Sequence, residues 1–498
     1  MGLVVGLTRR GLLGGAISAI AGLAFADAPL TALRPQVRPG GAVTALPGPS
    51  VADLIAAANL GGTVGFVVAD AATGRVIAQN AATTALPPAS VAKAVTALYA
   101  LEALGPTFRF ETRLIGTGPV RDGVLYGDLI LAGDGDPVLT TDHLADLAAR
   151  LRAAGVTAVR GGFRVWGGAL PNLREIDPKQ LDHLGYNPAI SGLNLNFNRV
   201  HFEWARRSGR YDVTMDARTD RFRPDVHVAR MRVVDRALPV YTYANSQGVD
   251  DWTVASAALG EGGARWLPVR NPAMYAGDVF RTMAAAQGID LTPARPIAAL
   301  PGGVVLARLQ SDPLELLVRD MLLYSTNLTA EALGLTATHG RGGQRANLAV
   351  SAAEMNQWAR EALAVEAAFV DHSGLSDASR ISAAQMVRAL TAPGSAAVLR
   401  PLLKTIPLVD VDGDPLPNPP GEVVAKTGTL NFVSALAGYM RTQGGADLAF
   451  AIFTVDPQRR ALALTSADEV PEGARDWNAR ARRLQQVLLQ RWAEGDDL

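Results

Sequence analysis

Strand-like runs stand near both ends of this chain, and they constrain its fold more than any other feature of the sequence. Near the start, apolar runs at residues 64–69 and 76–78 flank a turn sequence, Ala-Thr-Gly-Arg, as the two strands of a hairpin do. Near the end, runs at residues 431–440 and 448–455 flank a Gly-Gly pair, and an amphipathic helix is predicted over residues 477–492. The inward face of this helix is predicted to carry Leu484, Val487 and Leu488. One sheet that joins both ends of the chain accommodates the two hairpins, so we predict an α+β domain.

The segment at residues 111–267 differs in composition and predicted secondary structure from the sequence on either side of it. It contains repeated short strand patterns and many aspartates and glycines, with one helix predicted over residues 143–154. No internal repeat of fixed period is visible. We predict a mostly β insertion here, which leaves residues 51–110 and 268–498 for the α+β domain.

An export signal is predicted at the start of the chain. A pair of arginines beginning at Arg9 precedes a weakly apolar run, and an Ala-Phe-Ala pattern typical of signal cleavage ends at Ala26. The whole resembles a twin-arginine signal, and its apolar run is shorter than the roughly 20 residues that span a membrane. We predict that residues 1–26 are a cleaved export signal and that residues 27–50 are a linker. The mature protein is predicted to be periplasmic or otherwise exported, with no integral membrane span, and the twin-arginine and general secretion routes both stay open.

Composition excludes several classes of function. The chain has 47 basic and 47 acidic residues, and this balance argues against binding of nucleic acid through a broad basic surface. It has no cysteine, which excludes disulfides, thiolate metal sites and thiol nucleophiles. Its six histidines form no HExxH pair, and no GxSxG sequence indicates an α/β-hydrolase.

An aspartate-rich segment is similar to part of a calcium-binding loop but does not complete it. Asp410, Asp412 and Asp414 alternate along the chain. However, Pro415 stands where an EF-hand needs glycine, and the twelfth position is Gly421 rather than glutamate. We predict a tight turn here rather than a metal site.

The first group of residues that could carry out chemistry is Ser90-Val91-Ala92-Lys93, at the start of a helix predicted over residues 90–104. Positions i and i+3 share a helical face, so Lys93 is expected beneath Ser90. A serine hydroxyl becomes a strong nucleophile when a neighbour takes its proton, and a lysine can do so when burial or a second cation lowers its pKa. The unpaired N–H groups of a helix start are also suited to an oxyanion. The alternative interpretation is a helix-capping serine beside a solvated lysine.

Lys426-Thr427-Gly428-Thr429 forms a second group, directly before the terminal hairpin. On an edge strand facing the helix of the first group, Gly428 would let substrate backbone approach closely and Lys426 would attract a carboxylate. The alternative interpretation is a strand-entry turn with an exposed lysine.

Ser325-Thr326-Asn327 is the only Ser-x-Asn sequence in the chain. Alone it would be interpreted as a helix cap, because a helix pattern follows it. The order of the three groups changes that interpretation, since Ser-x-x-Lys, Ser-x-Asn and Lys-Thr-Gly are the set found in penicillin-binding proteins and class A β-lactamases. Two of the only four lysines in the chain, Lys93 and Lys426, fall into the set.

From about Val51 to its C-terminus, the chain resembles the class C low-molecular-mass penicillin-binding proteins, the D-alanyl-D-alanine carboxypeptidase/endopeptidases. In that family a long insertion separates the first two motifs. Here Ser90 and Ser325 are 235 residues apart, whereas Ser325 and Lys426 are 101 apart. Class A β-lactamases have a much shorter first interval.

Three further segments carry the resemblance. Residues 133–139 and 191–198 are similar to the family's Gly-Asp-Pro segment and asparagine-rich strand. The loop at residues 371–376 matches the family's Asp-Gly-Ser-Gly-Leu-Ser sequence, except that His372 stands where glycine is usual. The difference could reshape one wall of the site, and no catalytic role is assigned to His372.

The resemblance implies a transpeptidase/β-lactamase-like fold, in which an antiparallel sheet flanked by helices is split by the long insertion. It implies hydrolysis of the terminal D-Ala–D-Ala bond of peptidoglycan stem peptides through an acyl-enzyme, and endopeptidase cleavage of D-Ala-containing cross-links. Stem peptides and β-lactams are the implied ligands, and no metal or organic cofactor is needed. Two alternatives stay open: a serine β-lactamase or esterase, and a non-catalytic peptidoglycan-binding protein. The long insertion argues against the first and the three intact motifs argue against the second.

The resemblance also implies catalytic roles for four residues. Ser90 attacks the substrate carbonyl, and Lys93 accepts its proton. Ser325 relays a proton to the leaving amine, while Asn327 holds Lys93 and the substrate amide.

Substrate binding is implied for the Lys-Thr-Gly segment. Lys426, Thr427 and Thr429 bind the terminal carboxylate of the substrate, and Gly428 allows its close approach. The backbone N–H groups of Ser90 and Thr429 form the oxyanion hole.

Overall fold

Strands from both ends of the chain share one sheet in the computed structural model, which describes residues 49–495. In chain order the strands are β1 (Thr63–Asp70), β2 (Val76–Asn80), β3 (Glu111–Gly116), β4 (Val120–Arg121), β5 (Val124–Leu125), β6 (Leu129–Gly133), β7 (Ala158–Val159), β8 (Phe163–Trp166), β9 (Arg199–Arg207), β10 (Arg210–Asp216), β11 (Ala229–Val234), β12 (Tyr241–Ser246), β13 (Val249–Ala255), β14 (Gly262–Pro268), β15 (Arg295–Pro296), β16 (Val304–Gln310), β17 (Ala367–Ala368), β18 (Arg380–Ile381), β19 (Lys404–Thr405), β20 (Gly421–Leu430), β21 (Val433–Thr442) and β22 (Asp447–Val455). Six of them form an antiparallel sheet in the order β19-β20-β21-β22-β1-β2. Because β1 pairs with β22 along its whole length, the predicted sheet between the two ends of the chain is confirmed.

Helices cover both faces of this six-stranded sheet. In chain order they are α1 (Val51–Ala58), α2 (Ala92–Leu104), α3 (Thr141–Ala153), α4 (Pro272–Ala286), α5 (Leu314–Tyr324), α6 (Asn327–Gly340), α7 (Leu348–Leu363), α8 (Ala383–Thr391), α9 (Ser395–Leu399), α10 (Pro457–Ala463) and α11 (Ala474–Glu494). One face packs against α2 and α5 to α9, and the other packs against α1 and α11. The central strands β21 and β22 are buried on both faces, which explains why they read as nearly continuous apolar runs. The predicted α+β fold, an antiparallel sheet flanked by helices, is confirmed.

The insertion has its own sheets and its own apolar core, to which α3 and α4 contribute. Its largest sheet has five strands in the order β15-β8-β6-β3-β16. Two of these strands, β15 and β16, lie beyond residue 267, the predicted end of the insertion, and β16 pairs with β3 over six positions of its register. We therefore propose that the insertion spans residues 111–310 and that the α+β domain comprises residues 51–110 and the chain from residue 311 onward.

Most of the predicted N-terminal features cannot be compared with the fold. The predicted export signal at residues 1–26 lies outside the described residues, as does the linker at residues 27–50 apart from its last two positions. Among the described helices, none combines the length and the apolar character that crossing a membrane requires.

Helix α11 attaches the end of the chain to the sheet. Trp492 lies against Phe66, with 5.4 Å between the ring centroids. The indole of Trp477 donates a 2.6 Å hydrogen bond to the Leu60 carbonyl. Two of the residues predicted to face inward, Leu484 and Leu488, are buried, whereas Val487 is 36% exposed. The prediction for Val487 is therefore wrong, because the buried stripe passes through its neighbour at position 488.

Adjacent positions on α11 offer a matched test of this packing. We expect Leu488→Ala to lower the free energy of unfolding of the α+β domain by about 2–5 kcal/mol, because it leaves a cavity in a buried stripe. Val487→Ala removes a half-exposed side chain and should lower the same free energy by less than about 1 kcal/mol. Urea unfolding followed by tryptophan fluorescence measures both effects. Equal losses in the two variants would contradict the observed orientation of the helix.

Candidate active site

Ser90 and Lys93 lie where a short 3-10 turn runs into a helix. The turn spans Ala89–Val91, and α2 begins at Ala92, two residues later than predicted. Lys93 nevertheless lies beneath Ser90, because the amine Nζ is 2.9 Å from the hydroxyl Oγ. The predicted proximity of these two side chains is confirmed.

Lys93 is fully buried and donates to three acceptors. These are Ser90 Oγ at 2.9 Å, Asn327 Oδ1 at 2.8 Å and the Ser373 carbonyl at 2.8 Å. Burial lowers the pKa of Lys93 well below its ordinary value, and the charge of Lys426 lowers it further, whereas two buried carboxylates act in the opposite direction. An amine in this environment holds its proton weakly and is neutral for part of the time. In its neutral form it can accept a proton from a neighbouring hydroxyl.

Ser325 and Asn327 stand at the junction of α5 and α6. Ser325 ends α5 in the left-handed conformation, with φ of 61°, and Asn327 is the first residue of α6. While Oδ1 of Asn327 accepts from Lys93, its Nδ2 donates to the Tyr186 carbonyl at 2.9 Å. Since Tyr186 belongs to the insertion, the insertion helps to orient the amide of Asn327.

Lys426 is a second buried lysine, carried by β20. Its Nζ donates to Ser325 Oγ and to the Thr427 carbonyl, both at 2.9 Å. Burial, with a smaller contribution from Lys404, lowers the pKa of Lys426 to about 7. Ser325 therefore links the second and third motifs.

Strand β20 comes close to the 3-10 turn at Gly428. A Cβ atom there would lie 2.8 Å from the Pro88 carbonyl oxygen and 3.0 Å from the Ser90 nitrogen, so a larger residue would push the strand away. This glycine therefore makes room for the turn, and its part in the close approach of substrate stays a prediction. Strand β19 pairs with β20 only before Lys426. Beyond that point β20 forms a sheet edge in the described part of the chain, where Thr427 and Thr429 are exposed.

Glu331 lies behind the site and was not singled out by the sequence analysis. Its two carboxylate oxygens accept 2.9 Å hydrogen bonds from the backbone N–H groups of His372 and Ser373. Burial and the neighbouring Asp371 carboxylate raise the pKa of Glu331 to about 8. Its spacing of four residues from Asn327 is the signal that could have identified it, because such positions share a face of a helix.

Asp371 stabilises the other side of the same loop. Its carboxylate accepts from the Ser376 backbone at 2.7 Å and from the Ser379 hydroxyl at 2.8 Å. Within the loop Gly374 has φ of 72°, and a Cβ atom on it would lie 1.9 Å from the Ala89 carbonyl oxygen. The loop therefore packs directly against the 3-10 turn.

His372 points away from the site. Its Nε2 lies 2.9 Å from Ser351 Oγ, and its ring packs against Gly334, where a Cβ atom would be 2.1 Å from the ring. Burial lowers the pKa of His372 to about 3, so the ring is neutral. Nothing in this position gives His372 a part in the chemistry.

A cleft of about 300 Å³ opens onto the motif residues. The residues that line it include Ser90, Ser325, Asn327, Thr429, Leu375, Arg460, Glu469 and, from the insertion, Gln180 and Tyr186. The two motif lysines lie beneath this lining. All three motifs, which are far apart in the sequence, thus meet at one cleft.

The aspartate-rich segment lies elsewhere and forms the tight turn that was predicted. The Asp410 carboxylate accepts from the backbone of Asp412 at 2.9 Å and of Asp414 at 3.0 Å. A further backbone bond of 2.9 Å joins Asp414 to Asp410.

Comparison with known proteins places the chain among carboxypeptidases. Residues 49–468 match the D-Ala-D-Ala carboxypeptidase 3 (S13) family. The chain is 27% identical over 429 residues to the D-alanyl-D-alanine carboxypeptidase DacB of Haemophilus influenzae, which covers 81% of this chain and 88% of that protein. It is 29% identical over 465 residues to the D-alanyl-D-alanine carboxypeptidase of Actinomadura sp., covering 83% and 84% respectively.

The fold is similar to that of a solved structure from the same group. Penicillin binding protein 4 (dacB) from Haemophilus influenzae superimposes with a TM-score of 0.70 at 20% identity, over 88% of this chain and 99% of that one. The family match covers most of the chain and contains all three motifs. The resemblance to the class C low-molecular-mass penicillin-binding proteins is confirmed, and the chain belongs to the D-Ala-D-Ala carboxypeptidase 3 (S13) family.

Proposed function

We propose that this protein is a serine D-alanyl-D-alanine carboxypeptidase that acts on peptidoglycan stem peptides and binds penicillin, with Ser90 as its nucleophile. Membership of the S13 carboxypeptidase family supports the activity. The observation that carries the choice of nucleophile is the 2.9 Å contact between Ser90 Oγ and the buried amine of Lys93. Apart from the water that hydrolyses the acyl-enzyme, every step uses groups of the three motifs and the backbone.

Acylation begins with transfer of the Ser90 proton to Lys93. A neutral lysine amine has two N–H groups and one lone pair. With the N–H groups donated to Asn327 and Ser373, the lone pair faces Ser90 Oγ. The oxygen then bonds to the carbonyl carbon of the terminal D-Ala–D-Ala bond, and the developing oxyanion is bound by the N–H groups of Ser90 and Thr429. One such donor typically contributes roughly a hundred- to a thousand-fold in rate.

Collapse of the tetrahedral intermediate breaks the C–N bond and requires a proton on the leaving amine. Ser325 relays it: its hydroxyl, which contacts the Lys426 amine and lines the cleft, gives a proton to the leaving amine and takes from Lys93 the proton that Ser90 released. The carboxylate of the departing D-Ala is bound by Thr427 and Thr429, which stand at the exposed edge of β20, and by the buried Lys426. Water then hydrolyses the acyl-enzyme and regenerates Ser90.

We extend the proposal to D-Ala-containing cross-links and to location. In a cross-link the acyl donor is the same and the leaving amine belongs to a neighbouring stem peptide, so identical steps give endopeptidase cleavage. Peptidoglycan lies outside the cytoplasm, in agreement with an export signal at residues 1–26 and a periplasmic or otherwise exported protein. The Haemophilus influenzae protein of similar fold has been solved in complex with a β-lactam, which supports β-lactams as ligands here.

The nucleophile can be tested with labelled penicillin. We expect a covalent adduct on the peptide that contains Ser90, stable for at least minutes, and no adduct with Ser90→Ala. Mass spectrometry of digested protein locates the label. Rapid release of penicilloate would favour the β-lactamase alternative, and a wild-type protein that takes up no label would favour the non-catalytic alternative.

Lys93→Ala should abolish acylation by every class of donor. General-base catalysis typically contributes about a hundred- to ten-thousand-fold, and Lys93 performs it whether or not the donor carries a carboxylate. Acylation rates with penicillin and with a neutral thioester measure the effect. Near wild-type rates with either donor would mean that another residue is the base.

Lys426→Ala should discriminate between donors. It removes a charge-assisted contact of about 1.5–3 kcal/mol, so penicillin and peptide reactions should slow by about ten- to a hundred-fold and thioester reactions by less. It also removes a cation that lowers the pKa of Lys93. Since Lys93 acts as a base only when neutral, the acid-side limb of the pH–rate profile should move to higher pH.

Lys404→Ala, which removes an exposed lysine from β19, is the control and should change neither property substantially. Equal losses with charged and neutral donors would exclude a carboxylate-binding role for Lys426.

A further inference from the structure

Glu331 is a fully buried carboxylate that the steps above do not use. It lies on α6, one turn after Asn327, and so faces the same side of the helix. Asn327 contacts Lys93 directly. Glu331 has no direct hydrogen bond to Lys93 but reaches it through one residue of the loop at 371–376.

That residue is Ser373, whose backbone is held at both ends. Its N–H group donates to Glu331 Oε1 at 2.9 Å, and its carbonyl accepts from Lys93 Nζ at 2.8 Å. The preceding N–H group, of His372, donates to Glu331 Oε2 at 2.9 Å. The carboxylate thus fixes the two peptide units that precede the Ser373 Cα atom, and so the position from which the Ser373 carbonyl projects.

We propose that Glu331 is a positioning residue of the reaction, which holds the Ser373 carbonyl in place so that the lone pair of Lys93 points at Ser90. The inference rests on the proposed function, in which Lys93 is the base. A neutral amine can rotate about its terminal bond, and two fixed N–H acceptors are needed to set the direction of its lone pair. Asn327 supplies one acceptor, and Glu331 secures the other. Helix α6 therefore controls the base through both of its inward-facing polar residues.

The other charged groups around this pair have different roles. Asp371 accepts from the Ser376 N–H group and from the Gly374 N–H group, which shares a peptide plane with the Ser373 carbonyl, so it holds that carbonyl from the other side. Lys426 contacts Ser325 rather than Ser373. Among the described residues, Glu331 alone has side-chain bonds to both the 372 and the 373 backbone N–H groups, so its removal should shift the backbone that carries the Ser373 carbonyl.

The test separates the acylation rate constant from the affinity of the preceding complex. In Glu331→Gln one carboxylate oxygen becomes an NH2 group, which faces a backbone N–H and cannot accept from it. We expect the acylation rate constant at saturating thioester to fall by about ten- to a hundred-fold, as a misplacement of about 1 Å does at a catalytic centre. The dissociation constant of the initial complex should stay within about threefold of wild type. Glu361→Gln makes the same substitution on the exposed face of α7 and should leave both constants unchanged.

Glu331→Asp keeps both acceptor oxygens on a chain that is one methylene shorter. It should lose less of the rate constant than Glu331→Gln and tests the proposal if the glutamine variant fails to fold. A wild-type rate constant in either folded variant, or a loss confined to the dissociation constant, would overturn the proposal. If neither variant folds by thermal melting, Glu331 serves the fold alone and the proposal is wrong. The proposed function fails separately, when wild-type protein forms no adduct on Ser90.

Discussion

The buried amine of Lys93 is the constraint on which the rest of the site depends. Removing an unpaired ammonium from water is unfavourable by several kcal/mol, and good hydrogen-bond geometry is needed to offset it. The acceptors come from three parts of the chain: Ser90 is one turn away, Asn327 is 234 residues away and Ser373 is 280 residues away. None of the distant contacts can form until the helices of the α+β domain have packed on the sheet. The same burial weakens the hold of Lys93 on its proton. Burial of Lys93 is therefore unfavourable for stability but favourable for reactivity, and the hydrogen bonds to the three acceptors offset the unfavourable part.

The insertion takes part in the site although it has a separate core. The carbonyl of Tyr186 accepts from the amide of Asn327 and so helps to decide which end of that amide faces Lys93. At the rim of the cleft, Arg265 of the insertion forms a 2.8 Å ion pair with Glu469, which follows the terminal hairpin. An exposed ion pair contributes about 1 kcal/mol or less, so this contact positions the two parts more than it stabilises them. The long interval between the first two motifs thus supplies one wall of the cleft and one of its orienting hydrogen bonds.

The sequence predicted what depends on local pattern and left out what depends on distant pairing. The hairpins and the spacing of Ser90 and Lys93 follow from the periods of strands and helices, and the structure has both. The end that we propose for the insertion, residue 310, differs from the predicted one because β16 belongs to the sheet of β3 through pairing across nearly 200 residues, which no local pattern records. Gly428 was recognised as significant, but its close contact with the Ser90 turn joins distant parts of the chain and has no local pattern in the sequence. Glu331 was missed because its side chain contacts backbone N–H groups. Every residue except proline has such a group, so no particular residue type marks the positions that Glu331 contacts.

The loop at residues 371–376 illustrates why such contacts tolerate changes in sequence. At position 372 the side chain of the histidine fills the space over Gly334 instead of entering the cleft. The backbone of His372 makes the contacts that matter, because its N–H group donates to Glu331 and its carbonyl accepts from Thr96. A substitution at 372 is therefore compatible with the site when position 334 leaves room for it. At Gly374 the reverse holds, because the left-handed backbone and the close Ala89 carbonyl exclude any side chain. Within this loop, only glycine fits at the position where a Cβ atom would meet the 3-10 turn. A larger residue is accommodated at the position whose side chain points towards the helices behind the loop.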